Sequence, residues 1–245
     1  MIEALIPDWP APGRVKALVT TRDGGVSPAP YGSLNLAAHV GDDPAAVARN
    51  RALLKAQFRL PEEPRWLTQV HGCGVIDAAA AGSGRAADAI VSDRPGEVCA
   101  VLTADCLPLL LADRDGERVC AVHAGWRGLA AGVVEAAVAR LGRPGRLLAW
   151  LGPAIGADAF EVGEEVRQAF LQSAPEDAAA FRERGSGRWL ADIYALARRR
   201  LTRLGVGYIG GGGYCTLRQE ELFYSYRREG VTGRMAALIW LDPHG

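Results

Sequence analysis

The segment that most restricts the fold is "LPLLLADRDGERVCAVH", residues 107 to 123. Two apolar runs, Leu107 to Ala112 and Arg118 to His123, flank the turn-forming tetrad Asp113 to Gly116, which reads as a β-hairpin. Loop length then fixes register. A two-residue loop sets Cys106 diagonal to His123 on one face, and a four-residue loop sets them directly opposite. A three-residue loop puts them on opposite faces. Same-face neighbours have Cβ atoms about 4.5 to 8 Å apart, close enough to share a metal or a proton. Pro108 is expected to make the first strand irregular, because it cannot donate to the ladder.

Further strand-like runs cover Val15 to Thr20, Trp66 to His71, Val98 to Leu102, Leu147 to Leu151 and Ala236 to Leu241. A helix starts at Pro44 behind Asp42 or Asp43 as cap, with Val47, Leu54 and Phe58 at helical spacing and Asn50 and Arg51 within it. Others are expected over Leu129 to Leu141, Glu164 to Gln172, and the segment "LADIYALARRRLTRLG" ending at Gly205. Helices and strands alternate irregularly, which points to a mixed α/β layered domain and not to a strict βαβ barrel. The four glycines 210–213 suit neither helix nor central strand and mark a flexible turn or a close backbone approach.

Charge narrows the partners. The 28 basic and 28 acidic residues cancel, so nucleic acid and anionic membrane are poor partners, while a phosphate-bearing small molecule needs only one or two arginines. The N-terminus lacks the basic-then-apolar layout of a signal peptide, and the apolar stretch Val98 to Ala112 is interrupted and too short to span a bilayer. Five cysteines without a CxxC pair fit free thiols in the cytoplasm. The oligomeric state is left open.

His71 ends the run "RWLTQVHG". With Cys106 and His123 it makes two histidines and a thiol near strand ends, a three-ligand set with an open fourth position, as in catalytic zinc sites. Two other readings compete. Cys106 and His123 alone form a thiolate–imidazolium nucleophile, which has no use for His71; or all three residues only pack.

At these residues the chain resembles the YfiH family of laccase-domain proteins. The motifs are "TQVHG" (68–72), "TADCLP" (103–108), "AVHAGWRG" (121–128), "GPAIG" (152–156), "FYSYRR" (223–228) and "TGRMAALIWL" (232–241), spread from about Thr20 to Asp242. The resemblance implies a single-domain α/β/β/α sandwich with mixed sheets over residues 1–245, and zinc held by His71, Cys106 and His123. It implies phosphorolysis of adenosine, inosine and S-methyl-5′-thioadenosine to base and sugar 1-phosphate, with adenosine deamination as a side activity. A bacterial branch implies instead a peptidoglycan-editing hydrolase that removes misincorporated L-serine from a UDP-N-acetylmuramoyl precursor. Arg51, in "ARNR", matches an arginine that the family places near its active site.

The family's older description as a copper polyphenol oxidase is testable by counting. Blue copper alone consumes two histidines and a cysteine, and this chain has four histidines in all. Copper nevertheless outranks zinc in intrinsic affinity, so mis-metallation of a zinc-type site is physically easy. For the phosphate, candidate arginine forks are Arg51, Arg127, Arg227 and Arg228, with Arg51 favoured. Arg127 also falls at the start of the Leu129 helix, where amides favour anions. The HxE…PCxxC pattern of cytidine-type zinc deaminases is missing, so deamination would use a different scaffold. Asp105 neighbours Cys106 in sequence, but strand alternation turns it to the other face and assigns it a structural role.

Overall fold

Asp43 starts the first helix by accepting a hydrogen bond from the amide of Ala45 at 2.9 Å, and Pro44 supplies its preset φ at the first position. This is α1 (Pro44–Phe58), which ends at Arg59 in the left-handed region. The helix expected from Leu129 begins earlier and is broken: α2 (Trp126–Ala131) and α3 (Val133–Leu141) meet at Gly132, whose φ of 95° no helix accommodates. α4 (Glu164–Leu171) and α5 (Ile193–Arg203) fall where the sequence places them, the latter capped by the Asp192 carboxylate on the amide of Ala195. A short α6 (Tyr226–Glu229) follows Ser225 as cap. The structure, a computed structural model, describes residues 1–81 and 86–245.

The strands are β1 (Ala4–Leu5), β2 (Val15–Thr20), β3 (Val75–Asp77), β4 (Ala89–Ser92), β5 (Cys99–Thr103), β6 (Leu107–Asp113), β7 (Val119–Ala124), β8 (Leu147–Leu151), β9 (Glu161–Gly163), β10 (Phe181–Gly185), β11 (Arg188–Ala191), β12 (Tyr208–Gly211) and β13 (Met235–Leu241). Among the described residues they form three sheets. One is antiparallel in the order β1-β2-β13-β5; another is mixed, β12-β8-β6-β7-β4-β3, with parallel pairing at both edges; a small third is β10-β11-β9.

The β6–β7 hairpin pairs Leu107 with Ala124 and Pro108 with His123 without a break, the register in which Cys106 lies diagonal to His123. Pro108 does not disturb the ladder. It sits at the strand's end with its carbonyl accepting from Gly152, so its missing N–H falls beyond the last β8 pair.

Two expectations need correction. Trp66 to His71 is not a strand: only isolated bridges, Arg65 to Cys99 and Thr68 to Ala86, touch neighbouring segments. In place of a ladder, the Gln69 side chain donates to the carbonyl of Leu102 at 2.9 Å and accepts from its amide at 2.8 Å. Of the four glycines, Gly210 and Gly211 end the edge strand β12, where a Cβ on Gly211 would lie 2.2 Å from the carbonyl oxygen of Leu151. Of the two alternatives, this is the close backbone approach.

Layering follows from side-chain alternation. In β6 and β7, Leu109, Leu111, Cys120 and Val122 pack toward α3 and α5, whereas Leu110, Ala112, Val119 and Ala121 pack on Val19, Val101 and Ile239 of the antiparallel sheet. The far face of that sheet, Leu18, Ala100 and Leu238, covers Leu54 of α1. The fold is therefore an α/β/β/α sandwich. His123 takes the same parity as Ala121 and points between the sheets, at the end where β7 leaves them.

A candidate metal centre at the end of the central hairpin

His71, Cys106 and His123 converge, with their donor atoms all within 4.8 Å of one another. The Cys106 Sγ lies 3.9 Å from His71 Nε2, and the two imidazoles stand edge to face at 82° with centroids 4.8 Å apart. Three separate devices bring them together. The hairpin register places Cys106 beside His123. The Gln69 clamp on Leu102 delivers the loop that carries His71. His71 itself adopts φ 59°, a left-handed conformation unfavourable for a side chain, so it is a loop residue and not the strand end that its sequence suggests.

The loop is held in that conformation by Asp88, a residue that sequence reasoning passed over. Its fully buried carboxylate accepts from the amides of Val70 (3.2 Å), His71 (2.9 Å) and Gly72 (2.7 Å), and from His123 Nδ1 (2.8 Å). Burial alone would raise its pKa, but the His123 hydrogen bond and the amides of Gly72 and Val70 outweigh that and hold it below the ordinary carboxylate range. A bond at Nδ1 presents Nε2 of His123 to Cys106 and His71, the arrangement by which metal-binding histidines are oriented. A lone acid in the apolar stretch "AADAIVS" was the signal available in the sequence.

Charge is exchanged within the group. Burial would raise the Cys106 thiol, yet the charge and hydrogen bond of His123, with a contribution from His71, bring it down to about 6. His123 is correspondingly raised to about 9 against the effect of its own burial, by the Cys106 thiolate and by Asp88. A thiolate and two imidazoles are a donor set suited to zinc or copper.

The space fits as well. A Cβ on Gly125 would fall 3.0 Å from both Cys106 Sγ and His71 Cδ2, and one on Gly128 would fall 2.7 Å from the carbonyl oxygen of Gly72. The glycines of "AGWRG" thus keep open the space beside the donors and let the Gly72 loop pack down. Cys99 and Cys120 are buried elsewhere, and burial pushes the Cys120 thiol up to about 12.

The centre forms the floor of a cleft of about 400 Å³ whose walls include His39, Gln69, Tyr226 and Arg234. None of the four arginines named from sequence lines it. Arg51 donates through Nε and Nη2 to the carbonyl of Leu36 and stacks on Trp66 at 4.3 Å, although its charge reaches His39. Arg127 lies over Trp126. Arg227 donates to the Glu161 carbonyl, and Arg228 is taken up by the carbonyls of Thr216, Leu217 and Phe223 and by Glu229. Asp105 is not on a strand as expected but in the bend before β6, at φ 87°, where it accepts from Thr216 Oγ1 at 2.6 Å and from the amide of Arg227 at 2.7 Å.

Residues 16–242 match the family described as multi-copper polyphenol oxidoreductase laccase. A purine nucleoside phosphorylase of Pseudomonas aeruginosa is 58% identical over 240 residues, spanning 97% of this chain and 98% of its own. Purine nucleoside phosphorylase YfiH of Escherichia coli is 52% identical over 243 residues, spanning 98% of this chain and all of its own. The crystal structure of the Neisseria meningitidis protein NMB0706 superimposes with a TM-score of 0.94 at 54% identity, over 98% of this chain and 99% of that one. With sequence similarity and fold agreeing over nearly the full length, the chain belongs to the YfiH family of laccase-domain proteins.

Proposed function

We propose that this chain is a zinc-dependent purine nucleoside phosphorylase. It cleaves adenosine, inosine and S-methyl-5′-thioadenosine with inorganic phosphate, giving base and sugar 1-phosphate, and deaminates adenosine as a second activity. The observation that carries this reading is one buried carboxylate, Asp88, orienting both His71 and His123 toward Cys106 at the floor of a ligand-sized cleft. The substrate class follows the relatives, which bear that activity in their names at 58% and 52% identity.

His71, Cys106 and His123 would hold the ion, which when bound would supply Lewis acidity. Asp88 fixes the His123 tautomer and the loop conformation of His71. Tyr226, 58% exposed on the cleft wall, offers a ring face on which a purine stacks. His39 is held below its ordinary pKa by burial and by the charges of Arg234 and Arg51, and so is available in neutral form to exchange a proton with the purine. Arg51 assists through that charge, one step removed from the cleft. Copper taken up by the same three donors accounts for any oxidase activity.

Among the described residues no helix is long and apolar enough to cross a membrane. Five free thiols suit a reducing cytoplasm.

Chromatography of adenosine incubated with zinc-loaded protein, with and without phosphate, tests the reading. Adenine and ribose 1-phosphate formed only with phosphate are expected, and inosine reports deamination separately. No turnover by folded, metal-loaded protein in either buffer would overturn the nucleoside assignment and direct attention to the muramoyl precursor.

A further inference from the structure

Among the described residues, one arginine, Arg234, lines the cleft with open donors. Arg234 follows the turn before β13, and its Nη1 donates to the carbonyls of Thr232 (2.7 Å) and Gly233 (2.9 Å). Among the described residues, Nε and Nη2 have no protein acceptor and no carboxylate lies within ion-pair distance; the group is partly desolvated, which pulls its pKa down against the longer-range pull of Cys106 and Asp105. Nε and Nη2 form one edge of the guanidinium, the fork that accepts two oxygens of a tetrahedral anion. The Tyr226 ring lies 5.7 Å from its centre and His39 lines the same wall. Nε and Nη2 remain accessible from the cleft, so the oxygens of a ligand can take the place of water on this fork.

We propose that Arg234, through its Nε–Nη2 edge, is the oxyanion subsite that receives inorganic phosphate next to the metal centre. As the cosubstrate's location, this rests on the phosphorylase reading; as an anion site, it does not.

Calorimetric titration of inorganic phosphate into zinc-loaded and chelator-stripped protein tests it, with wild type, Arg234→Gln, Arg234→Lys and Arg227→Ala. Removing a charge-assisted fork should weaken phosphate about tenfold or more in Arg234→Gln, in both metal states. Arg234→Lys keeps the charge without the fork and should lose about threefold or more. Arg227→Ala, whose side chain binds the Glu161 carbonyl away from the cleft, should match wild type. Wild-type affinity in Arg234→Gln overturns the proposal, and so does complete loss of phosphate binding on chelation, since the anion would then be held by metal. If Arg234→Gln does not fold, Arg234→Lys decides, with unchanged affinity overturning the fork.

The titration needs no turnover. An Arg234-dependent phosphate site in a protein inert toward adenosine would keep the subsite and sink the phosphorylase; turnover with Arg234-independent phosphate binding would do the reverse.

Discussion

Asp88 Oδ1 lies 2.8 Å from His123 Nδ1 and 2.9 Å from the backbone amide of His71, so one carboxylate sets the direction of one imidazole and the backbone of the other. Replacing it by asparagine leaves a single acceptor oxygen and turns an amide NH₂ toward N–H groups. Asp88→Asn should therefore lower metal affinity about 10- to 100-fold and cost about 2 to 4 kcal/mol of stability at neutral pH. The sign with pH follows from the depressed carboxyl of the folded chain. Its stabilising contribution is present above the unfolded value of about 3.9 and is lost as pH falls through the lower folded value. Urea unfolding between pH 7 and pH 3 should show the difference between wild type and Asp88→Asn shrinking toward acid; a constant difference would contradict the assignment.

The ionisation of Cys106 gives a second prediction. In chelator-stripped protein its thiol titrates at about 6, while Cys120 is held up at about 12. Because the nucleophile is the thiolate, Cys106 should be alkylated by iodoacetamide at a rate that rises through pH 6 and is near its plateau at pH 7. Cys99 and Cys120 should stay unmodified in folded protein. Zinc should protect Cys106, and His123→Ala should move its profile upward, because the His123 charge is the largest influence lowering it. Peptide mapping after timed alkylation reads all of this. A Cys106 profile centred near pH 8 to 9 would mean that the thiolate–imidazolium pair does not form.

Much of this centre is legible in the chain, and the remainder fails for identifiable reasons. Hairpin spacing leaves three registers open, two of which bring Cys106 to the face of His123, and the structure takes the diagonal one. The caps at Asp43 and Asp192 are local. His71 is misplaced on a strand because "RWLTQVHG" has strand-like composition, while the ladder it would need is replaced by a long-range side-chain clamp, Gln69 to Leu102. Asp88 and Arg234 escape for a different reason. The worth of a charged group is set by which of its hydrogen bonds remain unfilled, and that count exists only once distant segments have packed. Arg228 is spent on four partners and Arg234 is not, although both lie in motifs visible in the sequence.

Gly125 offers a test of the cleft floor that leaves the fold alone. Its φ of −63° is ordinary for any residue, so alanine there meets no backbone strain. The added methyl would instead meet Cys106 Sγ and His71 Cδ2 at 3.0 Å each and press the donors apart. Gly125→Ala should lose zinc affinity by about tenfold or more, in line with other disturbances of ligand orientation, while its metal-free form melts close to metal-free wild type. Equilibrium dialysis with metal analysis, beside thermal unfolding of stripped protein, separates the two. Undiminished zinc binding would place the metal away from this triad.

On the phosphorylase reading, Tyr226 is expected to hold the purine and to take little part in the chemistry. Its ring is exposed at the cleft wall with the Arg234 guanidinium 5.7 Å away, and Ser225 caps the short helix that presents it. Base–aromatic stacking is worth about 1 to 3 kcal/mol by alanine substitution. Tyr226→Ala should therefore raise KM for adenosine and inosine alike about 5- to 100-fold, with a smaller change in kcat, because a stacked base is held equally in ground and transition states. Tyr226→Phe should behave as wild type, since the ring face and not the hydroxyl does the binding. The KM–kcat split across these two variants is the informative quantity. A fall confined to kcat, or a phenylalanine variant as impaired as alanine, would assign Tyr226 to proton transfer and leave the purine to be held by other walls of the cleft.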